Sequence, residues 1–423
     1  MKWIIRPSKL SGSIVIPPSK SHTIRALLIG SLAKGESVIR RPLISGDGAS
    51  ALRAAESLGA SVEVRDEDVY IKGTGGNFNS GCDFIDMGNS GTGLNLFCSV
   101  AALGSKPRRF DGDASLRSRP MKPVMDALRQ LGAHITVESK TQDLPFIIQG
   151  PIKGGNVSVD GISSQFVSSL LFASPLAPQD SHITVYNIHE HPYIGITLWW
   201  LEKQGIKLEY VKDLTEYKIY GSQSYHSFDM TVPADFSSAA FSAVGACLGK
   251  QSVILRGLDF SDPQGDKGIF EVLASMGAKI THGDGAVQVC ADNLHGTIID
   301  LNNMPDALPA LSVAAACAKG ETVFTNVAQA RIKETDRIAV MASELSKMGI
   351  KVRELPDGMA VQGGVLKGAH VNGHNDHRIV MALAIAGMNA QDETIIDTAE
   401  AAEVTYPTFV NDFRELGADI TEV

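Results

Sequence analysis

Cysteine is scarce in this chain. Its 423 residues include five cysteines, namely Cys82, Cys98, Cys247, Cys290 and Cys317. They are odd in number, show no CxxC spacing and stand among apolar residues, so we expect buried, reduced thiols. This pattern argues against a disulfide framework and against a structural zinc site.

Long hydrophobic runs and an excess of basic charge are lacking too. One of the longest apolar stretches, Ile379 to Ile385, is far shorter than the ~20 residues that span a bilayer, and the N-terminus has no secretory h-region. With 38 basic and 47 acidic residues, the net charge of -9 provides no global field for nucleic acid or anionic lipid. We therefore expect a cytoplasmic protein without nucleic-acid or membrane partners, in which a local cluster holds any anionic ligand.

Internal repetition is the strongest pattern present. Six helical stretches end at a glycine that precedes a short β-like run, and these glycines are 73, 73, 72, 72 and 68 residues apart. They are Gly59, Gly132, Gly205, Gly277, Gly349 and Gly417. Each suits the left-handed position just beyond a helix C-terminus. A steady period of this length predicts six copies of one structural unit.

A second feature keeps the same period: a polar loop that opens an apolar helix. The equivalent loop positions are Ser19, Ser90, Ser163, Asp235, Asp306 and Asp376. Each unit thus reads strand, loop, apolar helix, strand, amphipathic helix, glycine, strand, and we expect the apolar helix to be buried beneath the amphipathic one. At this chain length the six units divide as three plus three, near Thr231 to Pro233, although the first strand of a unit could pair with either half.

Reactive side chains concentrate where the apolar helices begin. They are Lys20, Ser21, Arg25, Ser163, Ser164, Gln165, Asp306, His377 and Arg378. Helix N-termini carry unpaired N–H groups and partial positive charge, so several of them facing one cleft would bind a polyanion. Helix capping is the alternative for the Ser and Asp residues, and it fits Ser19 and Asp235 well. It does not explain Lys20, Arg25 or the His377-Arg378 pair, because cations at helix starts oppose the helix dipole.

Short motifs at these loops and elsewhere carry a family resemblance. In chain order they are Pro18-Ser19-Lys20-Ser21 with Arg25, Gly88-Asn89-Ser90-Gly91-Thr92, Arg119-Pro120, Ser163-Ser164-Gln165-Phe166, Pro305-Asp306-Ala307, Arg331-Ile332-Lys333-Glu334-Thr335-Asp336-Arg337 and Asn375-Asp376-His377-Arg378. Each is weak alone, but together and in this order they are specific. The chain resembles the enolpyruvyl transferases, and among them the 5-enolpyruvylshikimate-3-phosphate synthases.

The resemblance implies an α/β (α+β) fold, a two-domain inside-out α/β barrel in which each domain has three βαβαββ repeats around buried helices. We expect residues 19–232 to form the first domain and residues 1–18 with 233–423 the second, with the active site in the cleft between them. The implied reaction transfers the enolpyruvyl group of phosphoenolpyruvate to the 5-hydroxyl of shikimate 3-phosphate and releases phosphate, by addition and elimination. It belongs to the shikimate pathway of chorismate and aromatic amino-acid biosynthesis.

By the same resemblance, the substrates are small molecules, no cofactor or metal takes part because the cations supply the charge stabilisation, and glyphosate competes for the phosphoenolpyruvate site. We expect a monomer, since the repeats bury their own apolar faces. Phosphoenolpyruvate is expected to contact Lys20, Gly91, Thr92, Arg119, Gln165, Lys333, Arg337, His377 and Arg378. Shikimate 3-phosphate is expected to contact Lys20, Ser21, Arg25, Ser163, Ser164, Gln165, Tyr193, Asp306, Gln329 and Lys333. Asp306 is expected to act as the base at the hydroxyl, Glu334 at C3 of the enol, and Lys20 as a proton donor.

Five positions depart from the family pattern. Glu190 stands where many relatives have a phosphate-binding serine, and we expect its side chain to point away from the site. Gln329 stands where an asparagine is common and should preserve the amide hydrogen bonds. Val404 occupies the place of a lysine in some members, and Asn95-Leu96 replaces an Arg-Pro pair, so the helix that they open is expected to sit slightly differently.

Two alternatives remain. The enolpyruvyl transferase that acts on UDP-N-acetylglucosamine typically carries a Lys-Asn pair near its start and a cysteine in a flexible loop. Here Lys20 is followed by Ser21, and the loop from Arg117 to Pro120 has no cysteine. A non-enzymatic repeat scaffold that binds anions would explain the period, but not the Lys-Glu-x-x-Arg and Asp-His-Arg motifs together.

Overall fold

The chain separates into two compact units. The computed structural model describes residues 1–249 and 251–423. One unit comprises Pro18–Val232, and the other comprises Met1–Pro17 together with Pro233–Val423. We call them the 18–232 unit and the 233–423 unit.

The N-terminal segment supplies two strands, β1 (Lys2–Arg6) and β2 (Gly12–Val15). The helices of the 18–232 unit are α1 (Lys20–Leu32), α2 (Gly46–Ser57), α3 (Gly91–Ala101), α4 (Ala114–Arg117), α5 (Lys122–Gln130), α6 (Ser164–Ala173) and α7 (His191–Lys203). Its strands are β3 (Glu36–Arg40), β4 (Ser61–Arg65), β5 (Asp68–Lys72), β6 (Phe84–Asp86), β7 (Arg108–Asp111), β8 (His134–Val137), β9 (Phe146–Gln149), β10 (Gly155–Asp160), β11 (Ser181–Tyr186), β12 (Leu208–Tyr210), β13 (Glu216–Ile219) and β14 (Asp229–Thr231).

The 233–423 unit continues the same order of elements. Its helices are α8 (Phe236–Gly249), α9 (Ile269–Ser275), α10 (Leu308–Cys317), α11 (Arg337–Lys347), α12 (His377–Met388) and α13 (Phe409–Glu415). Its strands are β15 (Val253–Arg256), β16 (Lys279–Gly283), β17 (Ala286–Cys290), β18 (Ile298–Asp300), β19 (Glu321–Thr325), β20 (Lys351–Leu355), β21 (Gly358–Gln362), β22 (His370–Asn372), β23 (Thr394–Asp397) and β24 (Asp419–Glu422). Short 3-10 turns lie at Gly265–Gly268, Pro305–Ala307, Ala328–Ile332 and Ala399–Val404.

The strands of the described residues form six four-stranded sheets, three in each unit. In the 18–232 unit the strand orders are β14-β3-β5-β4, β6-β7-β9-β8 and β10-β11-β13-β12. In the 233–423 unit they are β2-β15-β17-β16, β18-β19-β21-β20 and β22-β23-β1-β24. Every sheet pairs its first two strands in parallel and the others antiparallel, as one structural unit copied six times would.

Two first strands exchange places between the repeats. The strand β2 precedes α1 in sequence but pairs with β15, Val253 lying opposite Gly12. Conversely, β14 precedes α8 and pairs with β3, Asp229 lying opposite Val38. The question that the sequence left open, which half each first strand joins, is thereby answered.

Apolar helices form the core of each unit, as predicted. Nearly every residue of α1, α3 and α6 is buried in the 18–232 unit, and the same holds for α8, α10 and α12 in the 233–423 unit. Burying one leucine or isoleucine side chain contributes ~1.5–3 kcal/mol, which is why these almost uncharged segments occupy the interior. The sheets and the amphipathic helices surround them, so the predicted α/β fold around buried helices is confirmed.

The repeating glycines also fulfil their prediction. All six follow a helix by two residues and have φ between 67° and 108°. A side chain is strained at such angles, whereas glycine is not. Each glycine leads into the last strand of its sheet, namely β4, β8, β12, β16, β20 or β24.

The prediction for the cysteines was partly wrong. All five are free thiols; Cys98 and Cys247 are buried, but Cys290 and Cys317 are half-buried and Cys82 is exposed. Cys82 lies in the polar loop that leads into β6, so its neighbours in sequence do not cover it. Burial raises the pKa of the Cys98 and Cys247 thiols to about 12. No helix in the described part of the chain is long and apolar enough to cross a membrane.

Candidate active site

The predicted site residues fall into two groups, one in each unit. In the 18–232 unit they lie where the buried helices begin. Ser19, Ser90 and Ser163 cap α1, α3 and α6 by accepting hydrogen bonds from His22 N, Gly93 N and Gln165 N at 3.4, 3.1 and 3.3 Å. The capping role that the sequence suggested for Ser19 is therefore observed, and Ser163 has one as well.

Arg25 is a buried cation that is held by neutral atoms. Its Nε donates to Thr197 Oγ1 at 3.0 Å, Nη1 to the Ser21 carbonyl at 2.9 Å, and Nη2 to the Tyr193 carbonyl at 3.2 Å. Burial lowers the pKa of its guanidinium to about 10. A guanidinium in such surroundings would be stabilised by an anionic ligand.

Lys20, in the first turn of α1, has a partner that sequence reasoning missed. Its Nζ lies 3.1 Å from Asp47 Oδ2, and both side chains are nearly buried. Asp47 belongs to the first turn of α2, where an acidic residue is favoured by the helix dipole. The helix dipole alone is enough to explain an acidic residue at this position. The sequence therefore gives no sign that Asp47 also fixes the position of the Lys20 ammonium group.

Since Lys20 is predicted from the sequence to act as a proton donor, we expect Asp47→Asn to lower kcat roughly fivefold, because misplacing such a group costs rate even when the fold is kept. Steady-state rates and the melting temperature are the measurements. Glu56→Gln, an exposed change of the same kind on α2, is the matched control and should have wild-type kinetics. Equal kinetics for Asp47→Asn and the control would refute the positioning role.

The helices α3 and α6 are connected through one amide. Gln165 Nε2 donates to Thr92 Oγ1 at 3.1 Å, and Gln165 Oε1 accepts from Asn95 Nδ2 at 3.0 Å. Asn95 Nδ2 also donates to the Gly91 carbonyl at 2.9 Å. The expectation that Asn95 and Leu96 open their helix was wrong, since α3 begins at Gly91 under the Ser90 cap. Asn95 instead holds Gln165 in place.

Arg119 lies against Gly91. A Cβ added to Gly91 would stand 2.7 Å from Arg119 Nη1, so no larger residue fits while the guanidinium keeps its place. Arg119 Nη2 donates to Asn89 Oδ1, and Asn89 Nδ2 in turn donates to Asp113 Oδ2 at 2.7 Å. Two predicted ligands of phosphoenolpyruvate are thus in contact.

Glu190 corrects an expectation. Its side chain does not point away but is 1% exposed, and Oε2 accepts from Ser164 Oγ at 2.7 Å and from Ser164 N at 3.2 Å. A left-handed backbone conformation at Glu190, with φ 56°, turns the side chain toward α6. Tyr193 lies in the following first turn of α7, and its N–H donates to the Glu190 carbonyl at 3.0 Å.

In the 233–423 unit, Arg337 joins three carboxylates. Its Nε and Nη2 donate to the two oxygens of Asp376 at 2.8 and 3.1 Å, Nη1 to Asp306 Oδ1 at 2.8 Å, and Nη2 to Glu334 Oε2 at 2.5 Å. Burial alone would lower the pKa of Arg337, but the three carboxylates outweigh it and the pKa is raised. These bonds use four of the five N–H donors, so Arg337 mainly positions the carboxylates.

Asp306 is held between two arginines. In addition to Arg337, Arg378 Nη2 donates to its Oδ2 at 2.8 Å. Asp306 sits in the 3-10 turn before α10 and keeps 13% of its side chain exposed, whereas Arg337 and Arg378 are almost fully buried. The carboxylate is therefore rigidly placed and still accessible.

Asp376 is the second residue that the predicted site left out. It is fully buried, caps α12 by accepting from Arg378 N at 2.9 Å, and accepts from Thr335 Oγ1 at 3.1 Å. His377, the first residue of α12, is buried with its Nδ1 4.0 Å from Asp376 Oδ1. The six-fold period had marked Asp376 as a loop position, which was the signal that could have found it.

Gln329 lies on the 3-10 turn Ala328–Ile332, and Lys333 lies between this turn and α11. Gln329 is buried and donates to the Asn302 carbonyl at 3.2 Å, while its Oε1 has no hydrogen-bond partner within the described residues. Lys333 directly follows this turn and is half-buried. Val404 ends the 3-10 turn Ala399–Val404 and is half-buried too.

Fold and site together define a class of protein: a repeat-built α/β enzyme whose buried-helix N-termini present basic and acidic groups suited to a small polyanion. The EPSP synthase (3-phosphoshikimate 1-carboxyvinyltransferase) family matches residues 4–413, and the chain belongs to that family. The chain is therefore a member of a transferase family.

Individual relatives agree with this assignment. The 3-phosphoshikimate 1-carboxyvinyltransferases of Acetivibrio thermocellus and Methanocella arvoryzae are 47% and 42% identical, each over 98% or more of both chains. The EPSP synthase structure from Acinetobacter baumannii is 28% identical, with a TM-score of 0.83 over the whole of both chains. The enolpyruvyl transferase NikO from Streptomyces tendae, 15% identical with a TM-score of 0.82 over 100% of this chain and 98% of that one, shows the same fold.

Proposed function

We propose that this chain transfers the enolpyruvyl group of phosphoenolpyruvate to the 5-hydroxyl of shikimate 3-phosphate and releases phosphate, as a step of the shikimate pathway. The observation that carries the proposal is the accessible Asp306 carboxylate held by Arg337 and Arg378, in a chain that matches the EPSP synthase family over residues 4–413. Two guanidinium groups favour the ionised carboxylate, which is the form that can accept a proton from a hydroxyl.

Three groups account for the proton transfers in this proposal. Asp306 takes the proton of the attacking hydroxyl as the oxygen adds to C2 of the enol. Glu334, which shares Arg337 with Asp306, lies within the same hydrogen-bonded cluster and exchanges the proton at C3. Lys20, held by Asp47, stabilises the departing phosphate with its positive charge and can transfer a proton to it, which leaves a neutral amine. Lys333 supplies a second ammonium group.

The remaining polar groups recognise the substrates. We assign Arg119, His377 and Arg378, with the N-terminus of α3 at Gly91 and Thr92, to the carboxylate and phosphate of phosphoenolpyruvate. Shikimate 3-phosphate is assigned to Ser21, Arg25, Ser163, Ser164, Gln165, Tyr193, Gln329 and Lys333. These residues come from both units, so we propose that each unit contributes to substrate binding.

Phosphate release tests the reaction. Shikimate 3-phosphate, shikimate and UDP-N-acetylglucosamine are offered separately with phosphoenolpyruvate. Release with shikimate 3-phosphate alone is expected. Release with UDP-N-acetylglucosamine alone would favour the other transferase, and release with none would favour a non-enzymatic anion scaffold.

The contribution of both units is tested by binding. Titration calorimetry with shikimate 3-phosphate is expected to show weaker binding for Arg25→Gln in one unit and for Lys333→Gln in the other. A loss confined to variants of one unit would refute the proposal that each unit contributes to substrate binding.

We also propose that the protein is cytoplasmic and monomeric. Light scattering on the purified protein should give the mass of one chain if it is a monomer.

A further inference from the structure

The start of α6 and the start of α7 lie side by side, in a region that we call the corner, and a buried carboxylate joins them. Glu190, almost fully buried and the last residue before α7, accepts both the hydroxyl and the backbone N–H of Ser164, the first residue of α6. The backbone at Glu190 is left-handed, a conformation that side chains other than Asn, Asp and Gly rarely adopt. This strained backbone conformation directs the Glu190 carboxylate to the first residue of α6.

Ser164 offers the two donors that a phosphate group would use. A backbone N–H at a helix N-terminus and a neighbouring hydroxyl form a standard anion-binding pair. In the proposed function, Ser164 binds shikimate 3-phosphate through these two groups. A serine residue has no other hydrogen-bond donor. Here both donors already serve a carboxylate, which when ionised only accepts hydrogen bonds and cannot bond a phosphate.

The cation of this corner is separately anchored. Arg25 donates to Thr197 Oγ1 on α7, and Thr197 Oγ1 donates to Ser168 Oγ on α6 at 2.8 Å. Ser168 is one helical turn beyond Ser164, and Thr197 one turn beyond Tyr193. The hydrogen bonds of Arg25 therefore reach α7 directly and α6 only through Thr197, and they do not involve the contact between Ser164 and Glu190.

We infer that Glu190 is a specificity-determining residue that competes with the phosphate group of the substrate for Ser164. The inference rests on the proposed function. When shikimate 3-phosphate binds, two like charges would meet at the N-terminus of α6, so the Glu190 carboxylate has to give up Ser164. Glu190 thereby weakens the binding of the phosphorylated substrate relative to its dephosphorylated form.

A purely structural role for Glu190, as a cap on α6, makes the opposite predictions. Removing a cap lowers stability and leaves the ligand site less ordered, so binding would weaken or stay the same. Competition predicts tighter binding. The two roles are therefore separated by the direction of the change in affinity.

The experiment measures the dissociation constants of shikimate 3-phosphate and of shikimate by calorimetry, for wild type and three variants. Glu190→Gln keeps the size and an acceptor oxygen but removes the charge, and Glu190→Ser also opens space. Glu202→Gln, an exposed change at the far end of α7, is the control. We expect the ratio of the shikimate constant to the shikimate 3-phosphate constant to rise roughly tenfold in both Glu190 variants, since like charges in contact strongly oppose binding.

The control should keep the wild-type ratio, and the Michaelis constant for phosphoenolpyruvate should change less than twofold in all variants. An unchanged or reduced ratio in Glu190→Gln would overturn the inference. Phosphate release by the wild type with shikimate 3-phosphate is measured alongside. If that release is absent, the proposed function fails as well; if it is present and the ratio does not rise, only the role of Glu190 fails.

Discussion

Asp306→Asn is expected to lower kcat by ~10² or more while shikimate 3-phosphate still binds, because a positioned general base contributes a factor of that order. The asparagine keeps the size of the side chain but has a single acceptor oxygen, so it can accept from Arg337 or from Arg378 but not from both in their present places. Asp306→Ala should lose as much activity, but it also leaves two buried guanidinium groups without this acceptor. Calorimetry with shikimate 3-phosphate and steady-state rates test both.

Asp300→Asn is the matched control for Asp306→Asn. Asp300 is exposed at the end of β18, in the same unit, and accepts from Asn302 N and Asn326 Nδ2. It should keep wild-type turnover. If Asp306→Asn also turns over like the wild type, Asp306 is not the base; if it fails to bind the substrate, its main role is recognition.

The fold could largely be predicted from the sequence because the same local signals occur six times. A glycine with a positive φ after each amphipathic helix, and an apolar helix after each polar loop, gave the order of elements and the buried layer. The exchange of β2 and β14 could not be predicted. Each is a strand of three or four residues, and such short segments carry no pattern that selects one partner sheet over another.

The charged residues of the site could be predicted from the sequence, but the hydrogen-bonded pairs that they form could not. Asp306, Glu334 and Arg337 were each recognised, yet their shared hydrogen-bonded cluster depends on the fold and not on spacing. Asp47 was missed because a local cause, the helix dipole, already explains an acid there. The direction of Glu190 was predicted wrongly because it depends on one left-handed backbone angle, which an acidic residue does not signal.

The second large effect is expected at Gly91. Its φ lies in the ordinary range, so alanine is tolerated by the backbone, and the consequence of the added methyl is steric. That methyl would stand 2.7 Å from Arg119 Nη1, and 3.7 and 3.8 Å from Cδ and Cζ. The end of a flexible side chain can move, but Arg119 also binds Asn89, so the guanidinium would shift within an already connected group.

Glyphosate is longer than phosphoenolpyruvate and competes with it in this family, so a displaced Arg119 should exclude the inhibitor more than the substrate. Overpacking by one methyl costs ~1–3 kcal/mol, and a difference near the middle of that range raises the ratio of the inhibition constant to the Michaelis constant about 30-fold. Some loss of phosphoenolpyruvate affinity is expected as well. Gly195→Ala is the control, since a Cβ at that position of α7 meets nothing within 4 Å. Inhibition curves against phosphoenolpyruvate decide: a wild type that is already insensitive, or a ratio that Gly91→Ala leaves as it was, contradicts the steric argument.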